Sequence, residues 1–112
     1  MAHRVVHRMT KDGGNFTTLL EAVTDLRASV GNGPVNAAKV SAENSDGAVA
    51  DVNRTTTFIA PNIIEITDVW TSQDAMDAHY TDRVKPAFKA VGISAGDNPG
   101  GWARTVISAE DI

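Results

Sequence analysis

The chain opens on an alternation of period two. From His3 to Thr10, the residues His3, Val5, His7 and Met9 fall on one side and Arg4, Val6 and Arg8 on the other, which predicts a β-strand. Lys11-Asp12-Gly13-Gly14 interrupts it with turn-forming residues. The period then becomes helical. Phe16, Leu19, Leu20, Val23, Leu26 and Val30 form one apolar stripe, with Glu21, Asp25 and Ala28 on the outer side. Asn15 is the expected N-cap, and Gly31-Asn32-Gly33-Pro34 the expected stop.

Val35 to Glu43 reads as a second strand, ended by the turn signal Asn44-Ser45-Asp46-Gly47. Ala48 to Ala60 is rich in threonine and valine and is expected to be extended, an irregular excursion with no evident partner. After Pro61-Asn62 comes the strongest strand, Ile63 to Trp70. Its residues Ile64, Ile66, Asp68 and Trp70 face one way, against Ile63, Glu65, Thr67 and Val69. Apolar groups on both faces predict a central strand. Thr71 with Asp74 approximates a capping box for a helix running to about Tyr80. Pro86 lacks an amide hydrogen, so residues 82–91 are expected to form a kinked or separate helix anchored by Phe88 and Val91. The loop from Gly96 to Gly101 leads to a last strand, Trp102 to Ile107.

This order predicts an α+β fold, ferredoxin-like β-α-β-β-α-β, with both helices on one face of an antiparallel sheet. The other sheet face is expected to meet its counterpart in a second copy, giving a homodimer.

Composition narrows the function. At 112 residues the chain has room for a single domain, 1–112. Hydrophobic residues make up 42% and charged residues 21%, which excludes wholesale disorder. The absence of cysteine excludes disulfides and thiolate metal sites. No apolar run approaches the roughly 18 residues that span a membrane, so no membrane association is expected. The segment from Met1 to Arg8 is too short and too polar in its continuation for a secretion signal, so a cytoplasmic location is expected. Net charge is −4 and the basic residues are scattered, whereas a nucleic-acid binder gathers them into a stripe. No nucleic-acid partner is expected.

The stretch W-T-S-Q-D-A-M-D-A-H at residues 70–79, with Pro61-Asn62 before it and Phe88 after it, resembles the antibiotic-biosynthesis monooxygenase superfamily of dimeric α/β-barrel proteins. Residues 61–88 carry this resemblance. It implies a ferredoxin-like chain that pairs into a dimeric barrel. It also implies a cofactor-independent monooxygenase acting on a small aromatic or polyketide-like phenol or enol. The alternatives are a non-redox polyketide cyclase or isomerase, or a non-catalytic barrel that binds a small molecule. A sister branch degrades haem with an asparagine, a tryptophan and an iron-ligating histidine. Those positions here hold His7, His79 and a residue near Lys89, so haem degradation is not expected.

The candidate chemistry rests on few side chains. His79 is the leading proton acceptor, since histidine titrates near neutrality; the other reading is a histidine that fixes helix to sheet. His7, mid-strand beside Val5 and Met9, could accept the proton, polarise a substrate carbonyl or hold a metal; the other reading is a surface-strand or dimer-contact residue. Asp68 on the Trp70 face would be costly if buried alone. It is expected either to orient a base in a wet cavity or to pair with an arginine such as Arg104. Trp70 and Trp102 are candidate walls for an aromatic substrate, or core packing. His3 and His7 stand about 13 Å apart along a strand and form no metal-ligand pattern with His79. No metal site and no cofactor are expected, because nucleotide and phosphate-loop motifs are absent as well.

Overall fold

The computed structural model describes residues 1–29, 52–94 and 96–112. Strand β1 (His3–Lys11) runs through the middle of the sheet. Helix α1 (Leu19–Ser29) follows it, and then strand β2 (Asn53–Ala60) and strand β3 (Ile63–Trp70) form a hairpin about Pro61-Asn62. Next comes a helical stretch of three parts: α2 (Gln73–His79), a π-turn (Tyr80–Val84) and α3 (Lys85–Ala90). A 3₁₀ turn (Pro99–Gly101) feeds β4 (Trp102–Asp111). The strand order is β2-β3-β1-β4 and every pairing is antiparallel. This is the expected ferredoxin-like α+β architecture.

The alternation in β1 and β3 sorts their side chains as the sequence predicts. His3, Val5 and His7 are buried on one face of β1, and Ile64, Ile66, Asp68 and Trp70 on the same face of β3. Both helical stretches cover that face, in two separate apolar clusters. Ala22, Ile64, Ile66 and Trp102 pack with Met9, Phe16, Leu19, Val23, Leu26 and Phe58 beneath α1. Trp70 and Val84 pack with Met76, Tyr80 and Phe88 beneath α2 and α3. The opposite face carries cross-strand ion pairs, Arg8 to Glu65 and Arg4 to Glu110, with Val6, Thr67 and Val69 half-buried beside them.

Several expectations need correction. The segment ending at Ala60 is not an irregular excursion over its second half, since residues 53–60 form β2. Phe58 lies opposite Ile64 and Thr56 opposite Ile66, so a threonine-rich run finds its place as an edge strand. The expected strand from Val35 to Glu43 lies outside the described residues, as do Val30 and the stop after it. Helix α1 begins at Leu19, later than Phe16, and its cap is Thr18, not Asn15. The Thr18 hydroxyl accepts from the Glu21 amide, while the Glu21 carboxylate reaches back to the Thr17 amide and hydroxyl. This T-L-L-E run, three residues beyond Asn15, is a variant of the capping box in which the glutamate reaches one residue past the cap, to Thr17. Leu20 is 75% exposed and drops out of the apolar stripe, leaving Ala22 in the buried place. At α2 the cap is Ser72, whose hydroxyl accepts from the Ala75 amide, not Thr71. Phe88 does anchor α3, but Val91 is exposed.

The break that Pro86 predicts is the π-turn immediately before it. Proline cannot bond back to the preceding turn and its ring crowds the carbonyl there. Widening that turn, with the Lys85 amide donating to the Tyr80 carbonyl five residues back, relieves the conflict without ending the helix. The last strand runs on to Asp111, past a bulge at Ile107, where His7 faces Val106 but Val6 faces Ser108.

Gly100 locks the approach to β4 against the end of α1. Its φ is +63°, and a Cβ there would stand 2.5 Å from that of Ser29. Gly100→Ala should therefore cost about 2–4 kcal/mol, from left-handed backbone strain together with overpacking. Urea unfolding measures it, and an unchanged midpoint would show that this approach is not where the fold needs it.

Candidate functional site

Between the two apolar clusters lies a row of polar side chains to which each strand contributes one. Arg54 comes from β2, Asp68 from β3, His7 from β1 and Arg104 from β4. The register explains the row. Arg54 lies directly opposite Asp68, His7 sits one diagonal step from Asp68 across the β1–β3 pair, and Arg104 one further step from His7. All four point to the helix-covered face.

Asp68 is the centre. It is 1% exposed, and Arg54 grips it with two bonds: Nε donates to Oδ1 at 2.6 Å and a terminal nitrogen to Oδ2 at 2.8 Å. His7 Nε2 stands 3.2 Å from Oδ2. Burial alone would raise the Asp68 carboxyl. The hydrogen bonds from Arg54 and His7, with the Arg54 charge, outweigh it and hold the group below the ordinary carboxylate value.

The tautomer of His7 follows from its neighbours. Arg104 Nε can only donate, and it lies 3.2 Å from His7 Nδ1, so Nδ1 presents a lone pair. Nε2 then carries the hydrogen and donates to the Asp68 carboxylate. A histidine fixed at one nitrogen by a buried carboxylate, with a lone pair at the other, has the arrangement of a proton acceptor. Tyr80 faces the same row. The π-turn sets its ring 6.3 Å from that of Trp70, burial raises its phenol, and Arg104, Asp68 and Arg54 all act on it electrostatically.

The expected site residues thus fall into three places. His7 and Asp68 meet directly, and the arginine on Asp68 is Arg54, not Arg104, which goes to His7 instead. Trp70 and His79 meet each other, with ring centres 5.3 Å apart. Trp102 lies apart from both. It faces Lys11 across the β1–β4 pair while Trp70 faces His3, so about 26 Å of extended β1 separates the two levels. Within one chain the two indoles do not face each other as walls. Trp102 stacks on Phe16 at 5.8 Å and donates to Asp25, which also takes the Lys11 ammonium; that bond foremost lowers the Asp25 carboxyl. At the other end of β1, His3 Nδ1 is 2.9 Å from the Asp111 carboxylate.

Sequence reasoning did not single out Arg54 or Tyr80. The signal for Arg54 was available in principle, because a tight turn at Pro61-Asn62 places it across from Asp68. For Tyr80 the signal is Pro86, which predicts a break in the helix but not that it takes the form of a π-turn. Among the described residues no group of three or more histidine, aspartate or glutamate side chains is placed to hold a metal ion.

The chain matches no protein-family model and no curated protein. Among solved structures it is similar to that of Rv0793 from Mycobacterium tuberculosis. Sequence identity is 16% over 100% of this chain and 98% of that one, with a TM-score of 0.51. At that identity the likeness bears on the fold alone. None of the helices among the described residues is long and apolar enough to cross a membrane.

Asp68→Asn should cost about 3 kcal/mol, the low end for breaking a buried ion pair because Arg54 keeps some contact with water. The carboxylate is held below its unfolded value of about 3.9, so its contribution is present above that pH and lost as pH falls through the lower folded value. Urea unfolding from pH 6 down to 2 should show wild type losing stability below about pH 4, and Asp68→Asn losing less. Parallel profiles would mean that Asp68 is not held ionised.

Proposed function

We propose that this chain is a small-molecule enzyme whose first chemical step is removal of a proton from a phenol or enol by His7. The arrangement that supports this reading is the Asp68–His7 pair, with the imidazole hydrogen on the carboxylate and the lone pair on the far nitrogen. The substrate O–H bond breaks, the proton goes to Nδ1 and the electron pair stays on the substrate oxygen. The Asp68 carboxylate then lies against the imidazolium that forms, as a general base requires. Between the two histidines weighed for this role, His7 is the one that the buried carboxylate orients, while His79 lies against the Trp70 ring.

An electron-rich phenolate reacts with molecular oxygen itself. For an anthrone-like substrate, the ring methylene becomes a carbonyl, one oxygen atom enters the product and the other leaves as water. That balance needs only oxygen as oxidant. This is cofactor-independent monooxygenation, in keeping with the resemblance of residues 61–88 to the antibiotic-biosynthesis monooxygenases. The same resemblance favours pairing of two chains through the open sheet face into a dimeric barrel. Cyclisation or isomerisation of a polyketide-like carbonyl compound would begin with the same proton transfer.

Oxygen uptake with a panel of anthrone- and quinol-like phenols tests the reading. Wild type should consume oxygen, and His7→Gln should lower the rate at least about a hundred-fold, as loss of a general base does, with the fold checked by circular dichroism. His79→Ala should retain most of the rate. Uptake that survives His7→Gln would remove His7 as the base. Product formed without oxygen uptake would select the non-redox reaction.

A further inference from the structure

Arg104 occupies the lone pair that the proposed base needs. Its Nε donates to His7 Nδ1 at 3.2 Å, so no substrate hydroxyl can reach that nitrogen while the bond stands. The bond is long and joins a cation to a neutral acceptor. Arg54 is neutralised by Asp68 through two short bonds, but among the described residues no carboxylate pairs with Arg104. Its side chain is also exposed, so little holds it in place. The polar row therefore carries one loosely held, uncompensated positive charge directly on the base.

A guanidinium in that state has a better partner available in any carboxylate, which accepts two parallel, charge-assisted bonds at shorter distance. We propose that the site takes phenols or enols that also carry a carboxylate, and that this group draws Arg104 off His7 and so uncovers the base. The inference rests on His7 as proton acceptor and adds the class of substrate. A neutral phenol supplies nothing to exchange for the arginine and reaches Nδ1 only in the fraction of molecules in which that bond has opened by itself, so it binds more weakly. The overall charge of −4 repels anions, so a preference for the acid has to come from a local group such as Arg104.

Isothermal titration of the full chain with 1-hydroxy-2-naphthoate and with 1-naphthol tests this without requiring turnover. The two probes share the naphthol and differ in the carboxylate. Wild type should bind the acid at least about ten-fold more tightly, the value of one charge-assisted pair. Arg104→Ala should bring the ratio close to one, and Arg104→Lys should restore part of it. Because the side chain is exposed, both variants are expected to keep the wild-type circular dichroism spectrum. Equal affinities in wild type, a preference that survives Arg104→Ala, or binding of neither probe overturns the proposal. Selective binding of the acid in a protein that consumes no oxygen with any phenol would sink the oxygenase reading and leave this one standing.

Discussion

An ionised carboxylate in the middle of a sheet has to be compensated, and much of this structure follows from how Asp68 is. Taking such a group out of water costs several kcal/mol unless charge and hydrogen bonds replace the water. Arg54 supplies charge and two bonds, and His7 supplies a third. Each partner is thereby constrained in turn. A one-residue slip of β2 would carry Arg54 to the opposite face and leave Asp68 buried beside an unpaired position. The imidazole of His7 is confined to one tautomer, which in turn makes its other nitrogen an acceptor for Arg104.

The same carboxylate divides the core. On the buried face of β3, Ile64 and Ile66 stand to one side of Asp68 and Trp70 to the other. Helix α1 covers the isoleucines and Trp102, while α2 and α3 cover Trp70. A single apolar core would be simpler to pack. The polar row between two smaller ones places a histidine, a carboxylate and two arginines where apolar walls lie on either side. That is the setting in which electrostatic interactions are strong. The π-turn adds Tyr80 to the edge of this row, and Pro86 is the physical reason for the turn.

Much of the fold was legible because periodicity survives in single strands. The alternation in residues 3–10 and 63–70, and the 3.6-residue stripe after Phe16, led to the right faces. Leu20 misled because its neighbour Ala22, too small to mark a stripe, is the residue α1 buries. The second strand was not legible as such. Its inward residues include Arg54 and Thr56, which read as surface until their partners across the hairpin are known. Asp68 could be recognised as a residue that needs a partner, and an arginine was the right kind. Choosing between Arg54 and Arg104 needed strand order, which pattern alone does not supply. The two tryptophans looked equivalent in sequence, but β1 holds them at opposite ends.

The direct test of the account is the position of one proton. In ¹⁵N-labelled protein at pH 7, long-range ¹H–¹⁵N correlation spectra of the His7 ring report which nitrogen is protonated. The account predicts the hydrogen on Nε2 and a bare Nδ1, the tautomer that Asp68 and Arg104 jointly require. Asp68→Asn should disturb that ring's signals before those of the other two histidines. A hydrogen on Nδ1 would set two donors against each other at Arg104 and leave Asp68 without its third bond. The polar row as described, and the base built on it, would then be contradicted.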